Sequence, residues 1–176
     1  VGRLVPEKGL DVLLRACVKL HGRWHLHVIG SGPSQVALEE LAERLGLGSR
    51  IHWLGALPPA DLGPRWPAID CLVQPSRSTP LWVERWSYTM VEAMACGVVA
   101  VASDAGALPE VVGQAGIVTP ENDVAAPNTA LQRLRDDRQA RETLGAEGRK
   151  RVMDEFGDAA IAAKTLRFWR EMRGGV

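Results

Sequence analysis

Short apolar runs alternate with amphipathic stretches along the chain. This is the pattern of β-α-β units built on a parallel sheet. Val1–Leu4 reads as the end of a strand. Leu10, Leu13, Leu14 and Cys17 then recur at i, i+3, i+4 and i+7, with Asp11, Arg15 and Lys19 opposite, predicting a helix over 9–20. Trp24–Ile29 predicts a strand. Pro33 opens a second helix to Leu45, with Leu38, Leu41, Ala42 and Leu45 inward, Glu39, Glu40 and Glu43 outward, and Gly46 closing it. Ile51–Leu54 follows as a strand, Pro58-Pro59 opens a short helical segment to Trp66, and Cys71–Gln74 is a strand stopped by Pro75. A helix is predicted over Trp86–Cys96, with Gly97 just beyond it. Val98–Ala102 is fully apolar and reads as a central strand. Leu108–Val112 is a short helix and Gly116–Val118 a sixth strand. From Asn122 the chain reads as helical, with breaks near Asp137 and Gly157. The expected fold is α/β: a doubly wound parallel sheet of about six strands with a helical C-terminal tail.

Ligands of such sheets bind outside the carboxyl ends of the strands. Chemistry is therefore expected in the loops Arg3–Lys8, Gly30–Pro33, Gly55–Pro58, Pro75–Arg85 and Ser103–Leu108. Composition narrows the choice. The 176 residues are 46% hydrophobic and 24% charged, enough for one domain with a real core. Lys+Arg and Asp+Glu are both 21, so no basic excess points to a nucleic acid. Cys17, Cys71 and Cys96 form no CxxC pair, and reduced cytosolic thiols are the expectation. No membrane-spanning run is visible. Because the first strand opens at its last residues, the chain is expected to be one lobe of something larger.

Arg3 and Lys8 precede Gly9 at a helix start, where cations and backbone N–H groups together favour an anion; as ordinary surface charges they would need no ligand. No Walker motif is present. Gly30-Ser31-Gly32-Pro33 sits where dinucleotide folds place their glycines, but position 35 is Gln, so the nicotinamide fingerprint is incomplete. His25 and His27 share a strand face without a third ligand at metal spacing. No Gly-x-Ser-x-Gly elbow supports a hydrolase. Glu84 and Glu92 have seven residues between them; helical throughout, that is roughly 12 Å, too far for a glycosidase pair. They could instead grip two ends of an extended ligand whose central anion rests on helix N–H groups near Ser87 and Tyr88. Trp82 and Trp86 flank Glu84 and could stack on a sugar ring or simply pack in the core.

Taken together, Val1-Gly2-Arg3-Leu4…Glu7-Lys8-Gly9, Gly30-x-Gly32-Pro33, Pro75-Ser76, Glu84-x7-Glu92, Glu92-Ala93-Met94-Ala95-Cys96-Gly97 and Ser103-Asp104-x-Gly106…Pro109-Glu110 resemble the family-4 retaining glycosyltransferases. The likeness covers nearly the whole chain. It implies one Rossmann-like lobe of a GT-B fold, residues 1–176 being the C-terminal donor-binding domain without its N-terminal acceptor domain. The implied reaction is transfer of a hexose, with retention, from a UDP- or GDP-linked sugar to a glycan, lipid or small-molecule acceptor, with no metal or other cofactor required. The resemblance puts Arg3 and Lys8 on the diphosphate, Glu84 on the donor sugar and Glu92 on the ribose. It puts the backbone of Tyr88 and Thr89 near phosphate, and Ala56 and Leu57 beside the base. Gly2, Gly32 and Ser87 complete the expected donor site, with Glu84, Arg3 and Lys8 as its catalytic part. One departure stands out: the commoner Gly-Phe-Gly after the first Glu is Arg85-Trp86-Ser87 here.

The implied partners are the nucleotide sugar and an acceptor held by the other domain, with no nucleic acid. The expected place is the cytoplasm, peripheral at the inner membrane face at most. By itself the chain is expected to bind donor without turnover. The competing reading is a non-catalytic module that holds a nucleotide sugar or a partner chain. A sugar-nucleotide epimerase fits the 71–96 segment less well.

Overall fold

The computed structural model describes residues 1–174; Gly175 and Val176, the last two residues of the expected helical tail, lie outside the described residues. Five parallel strands alternate with helices: β1 Leu26–Ile29, β2 Ile51–Gly55, β3 Cys71–Gln74, β4 Val99–Ser103 and β5 Gly116–Thr119. The helices are α1 Leu10–Cys17, α2 Gln35–Arg44, α3 Pro59–Leu62, α4 Tyr88–Ala95, α5 Leu108–Val112, α6 Ala125–Asp136, α7 Arg138–Glu155 and α8 Asp158–Gly174. The α/β class and the helical tail are as expected. The tail breaks at Asp137, which caps α7 by accepting from the Ala140 N–H, and again around Gly157.

The strands differ from the expected single six-stranded sheet. Among the described residues β1 pairs only with β2, and β3-β4-β5 form a second sheet. Val1–Leu4 is extended but is not a strand. Its Gly2 and Leu4 N–H groups donate to the carbonyls of Ile29 and Ser31, at 2.8 and 2.9 Å, continuing the line of β1 without building a ladder. Between β1 and β3 lies a cavity of about 520 Å³, lined by both strands, by Leu13 and Cys17 of α1, and by Leu134 of α6. Burial pushes the Cys17 and Cys71 thiols beside it up to about 12. All three cysteines are free.

Side-chain alternation assigns the layers. In β4, Val99 and Val101 face Ala130 and Leu134 of α6, while Ala100 and Ala102 face Met90 and Met94 of α4 and Leu108 and Val111 of α5. All five β4 residues are buried, so the fully apolar run is indeed central. The first sheet buries Val28 and Ile51 against Leu13, Leu14, Leu38 and Ala42 of α1 and α2. Both sheets direct their carboxyl ends toward the same group of loops, as the backbone bonds that link those loops show below.

Candidate functional site

Two loops meet at the carboxyl ends of the strands. The first is a single 3₁₀ turn, Pro6–Lys8, ended by Gly9 at φ +65°. The conformation and the crowding both require glycine there: a Cβ at Gly9 would collide with the Pro75 carbonyl. This close approach brings Lys8 to the second loop, which runs from Pro75 to Ser87. The Arg77 N–H donates to the Glu7 carbonyl at 2.8 Å, and the Arg77 guanidinium pairs with Asp11 of α1. Lys8 Nζ also stands 5.0 Å above the Trp82 ring, a cation–π arrangement.

The meeting point is Glu84, only 6% exposed. Its Oε2 accepts from Lys8 Nζ at 2.5 Å, Gln74 Nε2 at 2.8 Å and Ser76 Oγ at 3.1 Å. Its Oε1 accepts from no side chain among the described residues and remains an open acceptor. A buried carboxylate must be paired and hydrogen-bonded to be tolerated, and here one oxygen satisfies that demand. The backbone is held as well. The Ala107 N–H donates to the Glu84 carbonyl at 2.8 Å, and Gly106 lets the two loop segments approach, since a Cβ there would strike that same carbonyl.

Ser87 begins α4. Its Oγ accepts from the Met90 N–H at 3.2 Å, the geometry of an N-cap, and donates to Gln74 Oε1 at 2.6 Å. The helix therefore starts at Tyr88, two residues later than the apolar pattern predicts. Trp86 stays in the loop, half-buried against the core and edge-on to Phe156. Glu84 to Ser87 is not helical, so the helical span from Glu84 to Glu92 does not apply. Thr89 is half-buried, whereas Tyr88 is 76% exposed. Glu92 is exposed on α4 and makes no ion pair among the described residues.

The remaining expected residues lie on the first sheet's side. The Arg3 guanidinium is exposed, 3.7 Å from Glu7. Gly2 lies beside Ile29 through its backbone bond. Gly32 packs directly on the Leu4 backbone, where a Cβ would not fit; its close approach is to protein, and the local fold accounts for it. Ala56 is exposed and Leu57 half-buried against the core, just beyond the end of β2. The structure thus joins Lys8, Glu84 and Ser87 in one bonded network, and leaves Arg3, Ala56, Tyr88 and Glu92 as surface groups on the loops and helix around it.

Sequence reasoning missed Gln74, Ser76 and Ser103 as members of this network. Ser103 Oγ donates to the Ser76 carbonyl, fixing the start of the second loop. The signal for Gln74 was available: an amide closes an otherwise apolar buried strand, where a polar side chain needs a partner. His25, His27 and His52 do gather on one face, with His25 Nδ1 3.0 Å from His52 Nε2. No group of three or more His, Cys, Asp or Glu side chains able to hold a metal ion occurs among the described residues.

No helix among the described residues is long and apolar enough to cross a membrane. Residues 1–151 match the family model for glycosyl transferases group 1. The chain is 33% identical over 163 residues to the GDP-mannose-dependent alpha-(1-6)-phosphatidylinositol monomannoside mannosyltransferase of Mycolicibacterium smegmatis, covering 89% of this chain and 43% of that protein. It is 34% identical over 168 residues to the MMP alpha-(1->4)-mannosyltransferase of Mycolicibacterium hassiacum, covering 92% of this chain and 39% of that one. The chain therefore spans less than half the length of these relatives. Among solved structures, sucrose-phosphate synthase from Thermosynechococcus elongatus superimposes with a TM-score of 0.84 at 29% identity, over 100% of this chain and 45% of that one. Anabaena HepE, solved in complex with UDP, gives 0.85 at 23% identity over 97% of this chain and 48% of that one, a likeness of fold. The motifs, the fold and the match over most of its length agree: this chain belongs to the group 1 glycosyl transferases.

Proposed function

We propose that the chain is the donor-binding part of a retaining hexosyltransferase of family 4, working on a nucleotide-diphosphate sugar. The observation that carries this reading is the junction of Lys8, Glu84 and the capped N-terminus of α4 in one bonded network. A diphosphate leaving group gathers negative charge as the glycosidic bond breaks, and preorganised cations and helix N–H groups stabilise that charge. Lys8 and Arg3 supply the cations, and the backbone N–H groups at Tyr88 and Thr89 supply the helix end. The open Oε1 of Glu84 accepts from a hydroxyl of the donor sugar. Glu92, one helical turn beyond Tyr88, accepts from the ribose, and Ala56 and Leu57 border the base. With two cations and a helix end on the diphosphate, no metal ion is needed for charge neutralisation. Gly32 lets its loop lie against the Leu4 backbone, and Gly2, at φ +143°, sets the backbone turn that precedes the exposed Arg3.

The relatives' names support a GDP-linked hexose as the first donor to test, with UDP-linked sugars next. The acceptor is held by a further domain, so turnover belongs to the longer protein and donor binding to this chain. Calorimetry of GDP, UDP and their hexose conjugates against this chain is expected to give saturable binding. Glu92→Ala weakens nucleotide and nucleotide sugar alike. Absence of heat with every nucleoside diphosphate at millimolar concentration overturns the donor-site reading. The anomeric configuration of the product, followed by NMR with the full-length protein, tests retention.

A further inference from the structure

The side chain of Gln74 is buried at the end of β3, between the carboxylate of Glu84 and the cap of α4. Its two ends are not interchangeable there. The carboxylate can only accept, so Nε2 must face Glu84, at 2.8 Å. Oε1 then faces Ser87, whose hydroxyl donates to it at 2.6 Å while accepting from the Met90 N–H at 3.2 Å. Every donor in this series points the same way: Met90 N–H to Ser87, Ser87 O–H to Gln74, Gln74 N–H to Glu84. Aligned hydrogen bonds polarise and strengthen one another. The series also occupies Oε2 of Glu84 and leaves Oε1 as the open acceptor.

We infer that Gln74 is a positioning residue for donor selection. It locks the Glu84 carboxylate in register with the N-terminus of α4, so that a hexose and its diphosphate are recognised at a fixed separation. The residue types support this. Gln74 is the polar residue of a strand whose other members, Cys71, Leu72 and Val73, are apolar. Ser87 is buried and its hydroxyl is the donor that the Gln74 amide oxygen accepts, a bond that a residue without a side-chain donor could not make. Gln74 and Ser87 thus work as a pair, each giving the other's side chain a buried partner.

The inference rests on the donor-site reading, and the test separates the two. The full chain and its variants are titrated with GDP and with GDP-mannose, and the ratio of the two affinities is read. Gln74→Leu keeps the volume and removes both hydrogen bonds. It is expected to weaken the sugar conjugate by about tenfold, the worth of one hydrogen bond to a charged group, with GDP affinity within about twofold of the parent. Ser87→Ala breaks the series at its other link and lowers the ratio in the same direction by a smaller factor, without touching Glu84. Equal weakening of both ligands by Gln74→Leu marks a merely structural role and overturns the inference, as does an unchanged ratio. If Glu84→Gln leaves the ratio unchanged in the parent background, Glu84 does not read the sugar, and the donor-site reading fails together with the role of Gln74. If Glu84→Gln lowers the ratio and Gln74→Leu does not, only the role of Gln74 fails. Thermal melts of each variant check folding, and Ser87→Ala serves should Gln74→Leu not fold.

Discussion

The two sheets carry unlike halves of the site. The half built on β1 and β2 offers Arg3, Ala56 and Leu57, groups that are exposed or only partly covered and have few polar partners. The half built on β3, β4 and β5 holds the buried polar side chains Gln74, Ser76, Glu84, Ser87, Ser103 and Thr119. One half presents charge at the surface; the other keeps an acceptor rigid inside. Surface cations attract an anion from any direction, whereas a buried, bonded carboxylate accepts a partner in only one geometry. Under the proposed reading, the sugar is discriminated on the second sheet's side, while the phosphate is met by Arg3 and Lys8 from the first and by the Tyr88 and Thr89 N–H groups from the second. Lys8 spans the two by reaching from the first to Glu84 on the second.

The largest expected contrast is between Glu84→Ala and Arg3→Ala. The first strips Lys8, Gln74 and Ser76 of their shared acceptor, and donors left unsatisfied cost about 1–3 kcal/mol. Transfer by the full-length protein is expected to fall about 10²–10³-fold, as when a preorganised group of an active site is lost. Arg3→Ala leaves the melting temperature in place and weakens nucleoside diphosphate binding several-fold, less so at high salt. Equal losses of melting temperature in the two variants would erase the distinction between the halves.

A second comparison uses one glycine from each half. Gly55 and Gly106 both have positive φ, +67° and +53°, but a Cβ at Gly55 meets open space and one at Gly106 meets the Glu84 carbonyl. Gly55→Ala is expected to cost about 1 kcal/mol for the left-handed backbone. Gly106→Ala adds about 1–3 kcal/mol of overpacking and weakens hexose-conjugate binding through the displaced Glu84. Chemical denaturation of both variants sharpens the contrast if the second loss is larger, and breaks it if the two agree.

The smallest effect lies in the first half. Burial, then the neighbouring His52, His25 and Arg65, hold the His27 pKa below its ordinary 6.5. Protonation then favours the unfolded chain, so this contribution is absent above the ordinary value and opposes folding as pH falls below it. The urea midpoint should drop between about pH 7.5 and 5.5 in the parent and drop slightly less in His27→Asn; an identical drop removes His27 from the account.

Elements with strong periodicity were legible in the sequence. Leu108–Val112 and the breaks at Asp137 and near Gly157 emerge as read, and Val99–Ser103 is the buried central strand. The second half of the site was partly legible, because Glu84 and Ser87 have residue types that announce a carboxylate site and a helix cap. Two things escaped. Val1–Leu4 has the composition of a strand, but a strand is made by its neighbours, and this segment bonds to Ile29, Ser31 and Ser34 without forming a regular ladder. The role of Gln74 depends on Ser87 and Glu84 lying opposite it across a loop, a relation that spacing along the chain does not express.

The seam between the sheets has a thermodynamic consequence. No strand-to-strand ladder joins β1 to β3 among the described residues; across this line Lys8–Glu84, Arg77–Asp11 and the Arg77 amide on Glu7 hold the loops together. Beneath these bonds the two halves share an apolar core, with Ile29 of β1 packed together with Leu72 and Met90, so it is the loop bonds above that core that can open short of the global transition. A ligand held by groups on both sides binds the closed arrangement alone, and whatever binds one state alone stabilises it in proportion to its saturation. Occupancy of the site and closure of the seam are in this sense one equilibrium, measured from two ends.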